Sequence, residues 1–278
     1  MPADVITRLG GSTIQHGALN KRIYLMNLAP EDYPDIVQNL ERLAKKEGYT
    51  KIFAKIPEKY SGPFEQAGYI TEAYVPGLFR GGEGAGFLGY YLDGKRQKPE
   101  NRSLLCKVLA TARSKAKTRP RDYSSQHYRI SRMGVSDADD MAKLYSLVFD
   151  SYPFPVFDPG YLKKTMQKNV LYFGVRYEGE LVGLASAETD MNSLSAEMSD
   201  FATLPSHRGK GMAGILLDQI SRKTGEMGII TLFSIARAAS FGMNITFARA
   251  GYEFAGTLVN NTHIAGRMES MNVWYKPC

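Results

Sequence analysis

A short apolar strand, a basic glycine-rich turn and an amphipathic helix follow one another between residues 195 and 220, and this unit constrains the fold most strongly. Backbone N–H groups at a helix N-terminus lack intrahelical acceptors and, together with the helix dipole, form an anion site. Glycines let a ligand approach the main chain, and basic side chains add positive charge. The pattern predicts a pyrophosphate-binding turn formed by Arg208, Gly209, Lys210, Gly211, Met212 and Ala213.

Two common phosphate-binding loops do not account for this turn. A P-loop places four residues between its glycines and then Lys-Ser or Lys-Thr, and no such string occurs in the chain. The run Gly81–Gly86 only approximates the dinucleotide-binding pattern, and it carries Glu83 where a phosphate would lie. We interpret that run as a hairpin or a flexible loop.

The segments around the turn predict a mixed α/β domain from residue 128 to the C-terminus. Apolar and alternating runs predict a hairpin at Val170–Tyr177 and Glu180–Glu188, and a strand at Ser195–Thr203. A strand at Ile229–Ile235, a helix at Ala238–Arg249 and a last strand at Met271–Tyr275 follow the amphipathic helix. Before the hairpin, a helical apolar stripe indicates core packing; it consists of Met141, Leu144, Tyr145 and Val148.

Composition indicates a cytoplasmic chain of about two domains. Its 278 residues contain no stretch of some 18 apolar residues, and Met1–Gly11 is neither basic nor apolar enough for a secretion signal. Two cysteines are too few for a disulfide framework. The four histidines share no metal-ligand spacing, so we expect no metal and no membrane partner.

Positive charge is concentrated in one segment. Residues 95–121 carry ten Lys or Arg against the single acid Glu100. This run is either a polyanion-binding patch or a solvated helix and linker. Ser103–Lys117 has an apolar helical stripe, and no aromatic residues alternate with the basic ones. The sequence therefore favours a helix followed by a linker at Thr118–Ser125, and we do not expect a nucleic-acid partner.

A six-residue motif occurs twice. Phe64–Tyr69 recurs as Phe247–Tyr252, and both copies follow an apolar strand and precede another strand. The N-terminal half, with a predicted strand at Arg22–Leu28 and a predicted helix at Glu31–Lys46, has nothing like the basic turn. We predict a degenerate, cofactor-free half-domain at residues 1–94, a basic helix and linker at 95–127, and a catalytic domain at 128–278. Chance similarity of so short a motif is the alternative.

The pattern Arg208-x-x-Gly211-x-Ala213, after a strand ending in Leu204–Pro205, resembles the acetyl-CoA loop of the GNAT N-acetyltransferase superfamily. The resemblance implies an α/β (α+β) fold with a mixed twisted sheet flanked by helices, and acetyl-CoA as the acetyl donor. It also implies main-chain contacts from the preceding strand at Phe201, Ala202 and Thr203. Asn244 lies where relatives contact the pantetheine arm.

Acetyl transfer to an amine needs a proton acceptor. An alkyl ammonium has a pKa near 10.4, so holding it neutral at pH 7 costs roughly 4–5 kcal/mol. The superfamily often places a glutamate on the strand before the loop, and the corresponding residue here is Glu197, with Asp200 in reserve. Strand alternation predicts Glu197 on one face and Asp200 on the other. The alternative for Glu197 is a surface or salt-bridged acid.

The proton donor to the departing thiolate is less evident from the chain. Many relatives have a tyrosine four residues before the Gly-aromatic pair, whereas this chain has Phe247 at that position. Tyr252 or a water molecule is the substitute, or the thiolate leaves without assistance.

Blocks in both halves resemble the β-lysine acetyltransferase family. They are Ile14–Gly17, Arg22–Met26, Ser151–Pro155, Met198–Pro205 and Glu269–Lys276. The resemblance implies transfer of acetyl to the ε-amino group of β-lysine, which gives Nε-acetyl-β-lysine, a compatible solute made under salt stress. Such a substrate needs acids for its second ammonium and a cation for its carboxylate. The expected pocket residues are Tyr145, Asp150, Tyr152, Glu188 and Glu269, with Arg237 and Arg267 as cations.

Other functions stay open at this point. The chain could acetylate a polyamine or protein lysines, bind acyl-CoA without turnover as a sensor, or bind nucleic acid through residues 95–121. A homodimer is likewise an open alternative to a monomer.

Overall fold

The computed structural model describes residues 4–116, 127–264 and 266–278. These ranges contain thirteen strands and seven α-helices. None of the helices within them is long and apolar enough to cross a membrane. The predicted linker at Thr118–Ser125, together with Lys117, lies outside the described residues.

The N-terminal half begins with three strands, two of which the sequence patterns did not predict. Its elements are β1 (Val5–Leu9), β2 (Ser12–Gly17), β3 (Arg22–Asn27), α1 (Ile36–Lys46), β4 (Lys51–Pro57), α2 (Ser61–Gln66), β5 (Ile70–Phe79), β6 (Glu83–Tyr91) and α3 (Arg102–Lys115). The helix expected from Glu31 begins only at Ile36, because Pro30–Asp32 form a separate 3-10 turn and Pro34 follows it. The glycine-rich run after Gly81 forms the β5–β6 hairpin.

The C-terminal half agrees closely with the predicted order. Its elements are β7 (Tyr128–Arg132), α4 (Ala138–Val148), α5 (Pro159–Met166), β8 (Val170–Tyr177), β9 (Glu180–Asp190), β10 (Ser195–Thr203), α6 (Met212–Glu226), β11 (Thr231–Arg237), α7 (Phe241–Arg249), β12 (Glu253–Ile264) and β13 (Arg267–Pro277). The hairpin and the strand before the basic turn are confirmed. Helix α7 begins later than expected because the Ser240 side chain caps it by accepting a hydrogen bond from Met243 N.

All thirteen strands form one mixed sheet. Its order is β1-β2-β3-β4-β6-β5-β12-β13-β11-β10-β9-β8-β7, so β5 and β12 join the halves. Strand β3 is parallel to β4 as β10 is parallel to β11, and β4-β6-β5 runs antiparallel as β11-β13-β12 does. At the seam, Gly256 is needed for close approach, since a Cβ there would lie 2.1 Å from the carbonyl of Glu72. The matching order supports the hypothesis of a partial copy, and the domain boundaries stay a prediction.

Helices α1 and α2 cover one face of the N-terminal half. In the C-terminal half, α6 and α7 cover one face, and α4 and α5 cover part of the other over β8 and β9. The rest of that second face meets the uncovered face of the N-terminal half. Between the uncovered faces, the ring centroids of Phe53 and Phe87 lie 6.2 Å apart, and those of Phe87 and Phe233 lie 6.1 Å apart. This packing brings β4 of the first half over β11 of the second.

A buried ion pair ties the two halves at the seam. The Lys51 ammonium donates to Glu72 Oε2 at 2.7 Å and to the carbonyl of Val259 at 2.8 Å. Glu72 Oε1 accepts from Val259 N at 2.8 Å, and both charged side chains are at most 3% exposed. Burial lowers the pKa of Lys51 to about 7, and the Glu72 carboxylate opposes that shift.

The basic segment is only partly solvated. Arg96 is buried, and its guanidinium donates to the carbonyls of Lys21 and Asn260 and to the Thr50 hydroxyl. Helix α3 packs against α7 through a buried stripe that includes Val108 and Ala112. Part of the positive charge in this segment therefore serves packing between the halves.

Candidate active site

Strands β10 and β11 separate along their length and open a cleft. They pair only where Ser195–Glu197 meets Thr231–Phe233, although β10 continues to Thr203 and β11 to Arg237. The main chain of Asp200 has φ +53°, and the register with β9 shifts there, which marks a β-bulge. The cavity in the opening has a volume of about 570 Å³.

The bulge overturns the predicted alternation along β10. Strand alternation predicted Asp200 opposite Glu197, and continued along the strand it predicts Ala202 on the face of Asp200 and Phe201 on the face of Glu197. In the structure, the Asp200 carboxylate bonds to Ser199 and Ser186, and Ala202 packs in the cluster with α4. Phe201 turns to the other face and meets the Phe247 ring at 5.7 Å. One extra residue in the strand reverses its side-chain phase, so Asp200 joins the face of Glu197.

The basic turn forms the mouth of the cleft. Gly209 and Gly211 have φ values of 76° and 75°, a left-handed conformation that glycine adopts without steric cost. The N–H groups of Gly214 and Ile215 donate the first hydrogen bonds of α6, both to the carbonyl of Gly211. The preceding amides at the start of α6 are the donors that a helix leaves for other acceptors.

Seven of the ten residues predicted to bind the cofactor line the cavity. They are Phe201, Thr203, Arg208, Gly209, Gly211, Met212 and Ala213. Ala202 and Lys210 do not line it; Ala202 is buried against α4, and the Lys210 ammonium lies 3.1 Å from the Tyr128 hydroxyl.

Asn244, the tenth, has a structural role instead. Its amide nitrogen donates to the carbonyls of Arg237 and Ser240 at 3.0 and 2.7 Å. Its carbonyl oxygen accepts from Asn272 and from the Trp274 indole at 2.8 and 2.9 Å. The side chain is fully buried, and these four hydrogen bonds connect α7 with β11 and β13. They use its two donors and two acceptor positions, so none remains for a ligand.

Two glutamates face each other across the strands beside the cleft. Glu197 on β10 is the direct register partner of Glu188 on β9. Like charges in such a position repel. Burial raises the pKa of both carboxyl groups well above the ordinary range; for Glu188 the charge of Glu197 adds to the effect. Among the described residues neither carboxylate accepts a hydrogen bond, so a cationic ligand is their natural complement.

Asp200 has a different environment from that pair. Its carboxylate accepts hydrogen bonds from the hydroxyls of Tyr152 at 2.5 Å, Ser186 at 2.7 Å and Ser199 at 3.2 Å. Burial raises its pKa, and these three hydroxyls counteract the shift. Asp200 and Tyr152 both line the cavity, whereas Glu197 and Glu188 lie on the face that meets the N-terminal half.

The other predicted site residues are scattered. Tyr145 is fully buried on α4, where burial and the Asp200 charge raise its pKa, and Asp150 is exposed at the end of that helix. Glu269 is buried and accepts from Arg267 Nε at 2.7 Å. Tyr252 was predicted as a proton donor, but it packs in the core against Phe247 and lies beside Ser221 of α6. Gly251, with φ 81°, forms the turn before it, and Tyr252 is not among the residues that line the cavity.

The N-terminal half contributes side chains near the cleft that the sequence motifs did not predict. The Lys55 ammonium lies 5.2 Å from the centroid of the Phe233 ring, beside Glu197. Gln15 Nε2 donates to the carbonyl of Pro153 at 3.0 Å, next to Tyr152. In the sequence, only the family resemblance of the blocks at Ile14–Gly17 and Arg22–Met26 linked this half to the function. No local sequence pattern predicts that these residues lie near the site.

The separated strands, the bulge and the basic turn at a helix N-terminus are those of an acetyl-CoA-dependent acyltransferase. The sequence model of the Acetyltransferase (GNAT) family matches residues 141–252. Beta-lysine N(6)-acetyltransferase of Methanococcus maripaludis is 34% identical over 274 residues, which cover 98% of both chains. The protein of the same name from Methanosarcina mazei is 32% identical over 87% of this chain and 96% of its own. N-acetyltransferase YodP of Bacillus subtilis is 31% identical over 95% of each. The chain belongs to the β-lysine N-acetyltransferase family.

Acetyltransferases of the GNAT family use acetyl-CoA, and the cleft fits that donor. A pyrophosphate fits the helix N-terminus formed by the basic turn. The exposed side chain of Arg208 adds charge at the same place, and its Nε donates to the carbonyl of Thr203 at 3.2 Å. The cavity extends from there to the bulge, where Asp200 lines it.

Replacing Gly211 by alanine should weaken donor binding. A Cβ at φ 75° costs about 1–2 kcal/mol, and relief of that strain moves the amides of the turn. We expect the KM for acetyl-CoA to rise about tenfold and the free energy of unfolding to fall by no more than that strain, about 1–2 kcal/mol. Steady-state kinetics measure the effect. The control is Gly225→Ala at the far end of α6, where a Cβ meets open space and the backbone is helical; an equal effect of both variants would contradict the assignment.

Proposed function

We propose that the protein transfers the acetyl group of acetyl-CoA to the ε-amino group of β-lysine. The observation that carries the proposal is the carboxylate face formed by Glu188, Glu197 and Asp200 beside the cleft. The names of two relatives that align with most of the chain support β-lysine as the substrate. The product, Nε-acetyl-β-lysine, keeps one ammonium and one carboxylate and so carries no net charge, which suits a compatible solute in the cytoplasm under salt stress.

Glu197 is the proposed proton acceptor. Its raised pKa makes its carboxylate a stronger base than an exposed one, and among the described residues no hydroxyl or amide occupies its oxygens. Glu197 is the last residue of β10 that pairs with β11, next to the point where these two strands separate. An ammonium held on this face can therefore lose its proton to Glu197 directly or through one water molecule.

Asp200 is better suited to positioning than to proton transfer. Three hydroxyl groups donate to its carboxylate, which stabilises the ionised form and engages its lone pairs. Through Tyr152 it also fixes the wall of the cavity that leads to the bulge. The amides of the bulge around Phe201 are the donors that would stabilise negative charge on the thioester carbonyl oxygen.

The unreactive ammonium of the substrate also needs a partner. Glu188 lies opposite Glu197 and remains available once Glu197 has engaged the reacting amine. The Tyr152 ring lines the cavity, and its hydroxyl donates to Asp200. An aromatic ring together with a carboxylate forms a site that suits an ammonium.

A thiol-release assay with acetyl-CoA tests the proposal. Initial rates are compared for β-lysine, α-lysine, spermidine and a lysine-containing peptide at equal concentration. We expect kcat/KM for β-lysine to exceed that of each other amine by at least about tenfold, a difference of about 1.4 kcal/mol in transition-state binding. Equal rates for all four would exclude β-lysine as the specific substrate, and donor binding without turnover would favour the sensor.

A further inference from the structure

Four cationic side chains lie where the halves meet: Arg22, Lys51, Lys55 and Arg96. Arg22 donates to the carbonyl of Asn261 at 2.6 Å and to Gln15 Oε1 at 3.3 Å. Lys51 is paired with Glu72, and Arg96 is held by backbone carbonyls. Within residues 4–116, 127–264 and 266–278, Lys55 Nζ has no hydrogen-bond acceptor and no carboxylate within 4 Å. Its charge is left for another partner.

Lys55 lies at the acceptor side of the cleft although it belongs to the first half. Its ammonium is 5.2 Å from the centroid of Phe233, the register partner of Glu197 on β10. Glu197 in turn faces Glu188 on β9. Lys55, Glu197 and Glu188 all keep part of their surface accessible, so solvent and a small solute can reach them.

The Lys55 side chain stays charged in this setting. Burial lowers its pKa, but the Tyr24 hydroxyl and three carboxylates outweigh that effect and hold the pKa above the ordinary value. The carboxylates belong to Glu197, Glu188 and Asp190. An ammonium that keeps its proton beside acids, without a direct ion pair, can bind an anion that arrives with the substrate.

We propose that Lys55 binds the carboxylate of the amino-acid acceptor, so that the N-terminal half selects substrates that carry an acid group. The inference rests on the proposed function, since a diamino acid brings two ammonium groups and one carboxylate. Glu197 and Glu188 serve the ammonium groups, and Lys55 is the cation on the same face that can complement the carboxylate.

The two cations expected from the sequence are placed less well for this task. Arg237 lines the donor cavity. It stands four residues beyond Phe233 on β11, past the last pairing with β10, whereas Lys55 lies against Phe233 itself. Arg267 Nε is paired with Glu269 at 2.7 Å, and its side chain is 60% exposed.

The test compares two acceptors in the full-length protein: β-lysine, and cadaverine as a diamine without a carboxylate. Lys55→Met should raise the KM for β-lysine about 10–100-fold, as expected for loss of a charge-assisted contact. Its kcat for β-lysine and its kcat/KM for cadaverine should change less than about threefold. Lys55→Arg should retain most of the preference for β-lysine.

Lys59→Met is the matched control, because Lys59 lies four residues further along the chain and its exposed ammonium forms a salt bridge with Glu83. It should leave both acceptors unchanged. Thermal unfolding and the KM for acetyl-CoA verify folding of each variant, and Lys55→Gln replaces Lys55→Met if the latter does not fold.

Two results would overturn the inference. In the first, the native protein prefers β-lysine but the Lys55 variants keep that preference, which rejects Lys55 and leaves the proposed function intact. In the second, Lys55→Met lowers kcat/KM equally for both acceptors and shifts the pH profile, which would mean that Lys55 acts only on the ionisation of Glu197. A native protein without preference for β-lysine rejects the proposed substrate as well, so the two failures are distinguishable.

Discussion

Replacing Glu197 by glutamine is expected to lower kcat by about 10²–10³-fold at neutral pH, the usual contribution of a positioned base. Glutamine keeps the shape of the side chain but cannot accept a proton. The native kcat/KM should rise with pH as Glu197 deprotonates. That rise should lie above the ordinary range of a carboxyl group, because burial and the Asp200 charge raise its pKa and the Lys55 charge offsets them only in part. The variant should lack that limb and approach the native rate at high pH, where the amine is already neutral.

The same variant should be more stable than the native protein. Because the pKa of Glu197 is higher in the folded than in the unfolded chain, its contribution to stability is full at low pH and is lost as pH rises through the folded pKa. Removing the charge opposite Glu188 should therefore add about 1 kcal/mol at pH 8 and nothing at pH 4.

The matched comparison is Asp200→Asn, which removes a carboxylate from the same face. It should raise KM because asparagine keeps only one of the two oxygens that accept from Tyr152 and Ser186. The pH-dependent limb of kcat/KM should remain but move to lower pH, since the Asp200 charge raises the pKa of Glu197. Thermal unfolding at both pH values and a full pH–rate profile are the measurements. A pH profile that Glu197→Gln leaves unchanged would remove Glu197 from proton transfer, and Asp200 would take its place.

Lys51→Met is expected to destabilise the protein by about 3–5 kcal/mol, because it leaves Glu72 buried without its counter-charge. For a chain of this size the melting temperature should fall on the order of 10 °C. Chemical denaturation followed by circular dichroism gives the free energy of unfolding. The catalytic face is not part of this ion pair, so kcat below the melting range should stay close to native.

A double variant tests whether the loss arises from the isolated charge. Lys51→Met/Glu72→Met removes both charges and should recover part of the stability, although the amide of Val259 then loses its acceptor. Surface substitution of Lys45, which pairs with Glu41 on exposed α1, should cost less than about 0.5 kcal/mol. A double variant less stable than Lys51→Met would show that the network contributes through packing instead.

The parts of the fold set by local pattern could be predicted, and so could the basic turn proposed to bind the donor. The β8–β9 hairpin, strand β10 and the turn with two left-handed glycines follow from alternation, turn residues and helix-start signals within a few residues. The bulge at Asp200 could not be predicted in this way. Its segment alternates regularly, and neither glycine nor proline marks the left-handed residue.

The acceptor side depends on contacts between distant segments. Lys55 stands in a strand whose pattern puts it on the polar face, and that face is buried only because the other half packs against it. Tyr252 was misplaced for a related reason: it was offered only as a substitute for the tyrosine that relatives have at the position of Phe247, and its ring packs in the core. Long-range packing, which no short motif encodes, decides both cases.

The pairing of β5 with β12 means that each half conceals an open sheet edge of the other. Exposed edges recruit strands from neighbouring molecules and promote aggregation. Each half alone would expose this edge. We therefore expect a chain divided at residue 127, just after the linker predicted at Thr118–Ser125, to give two fragments that aggregate.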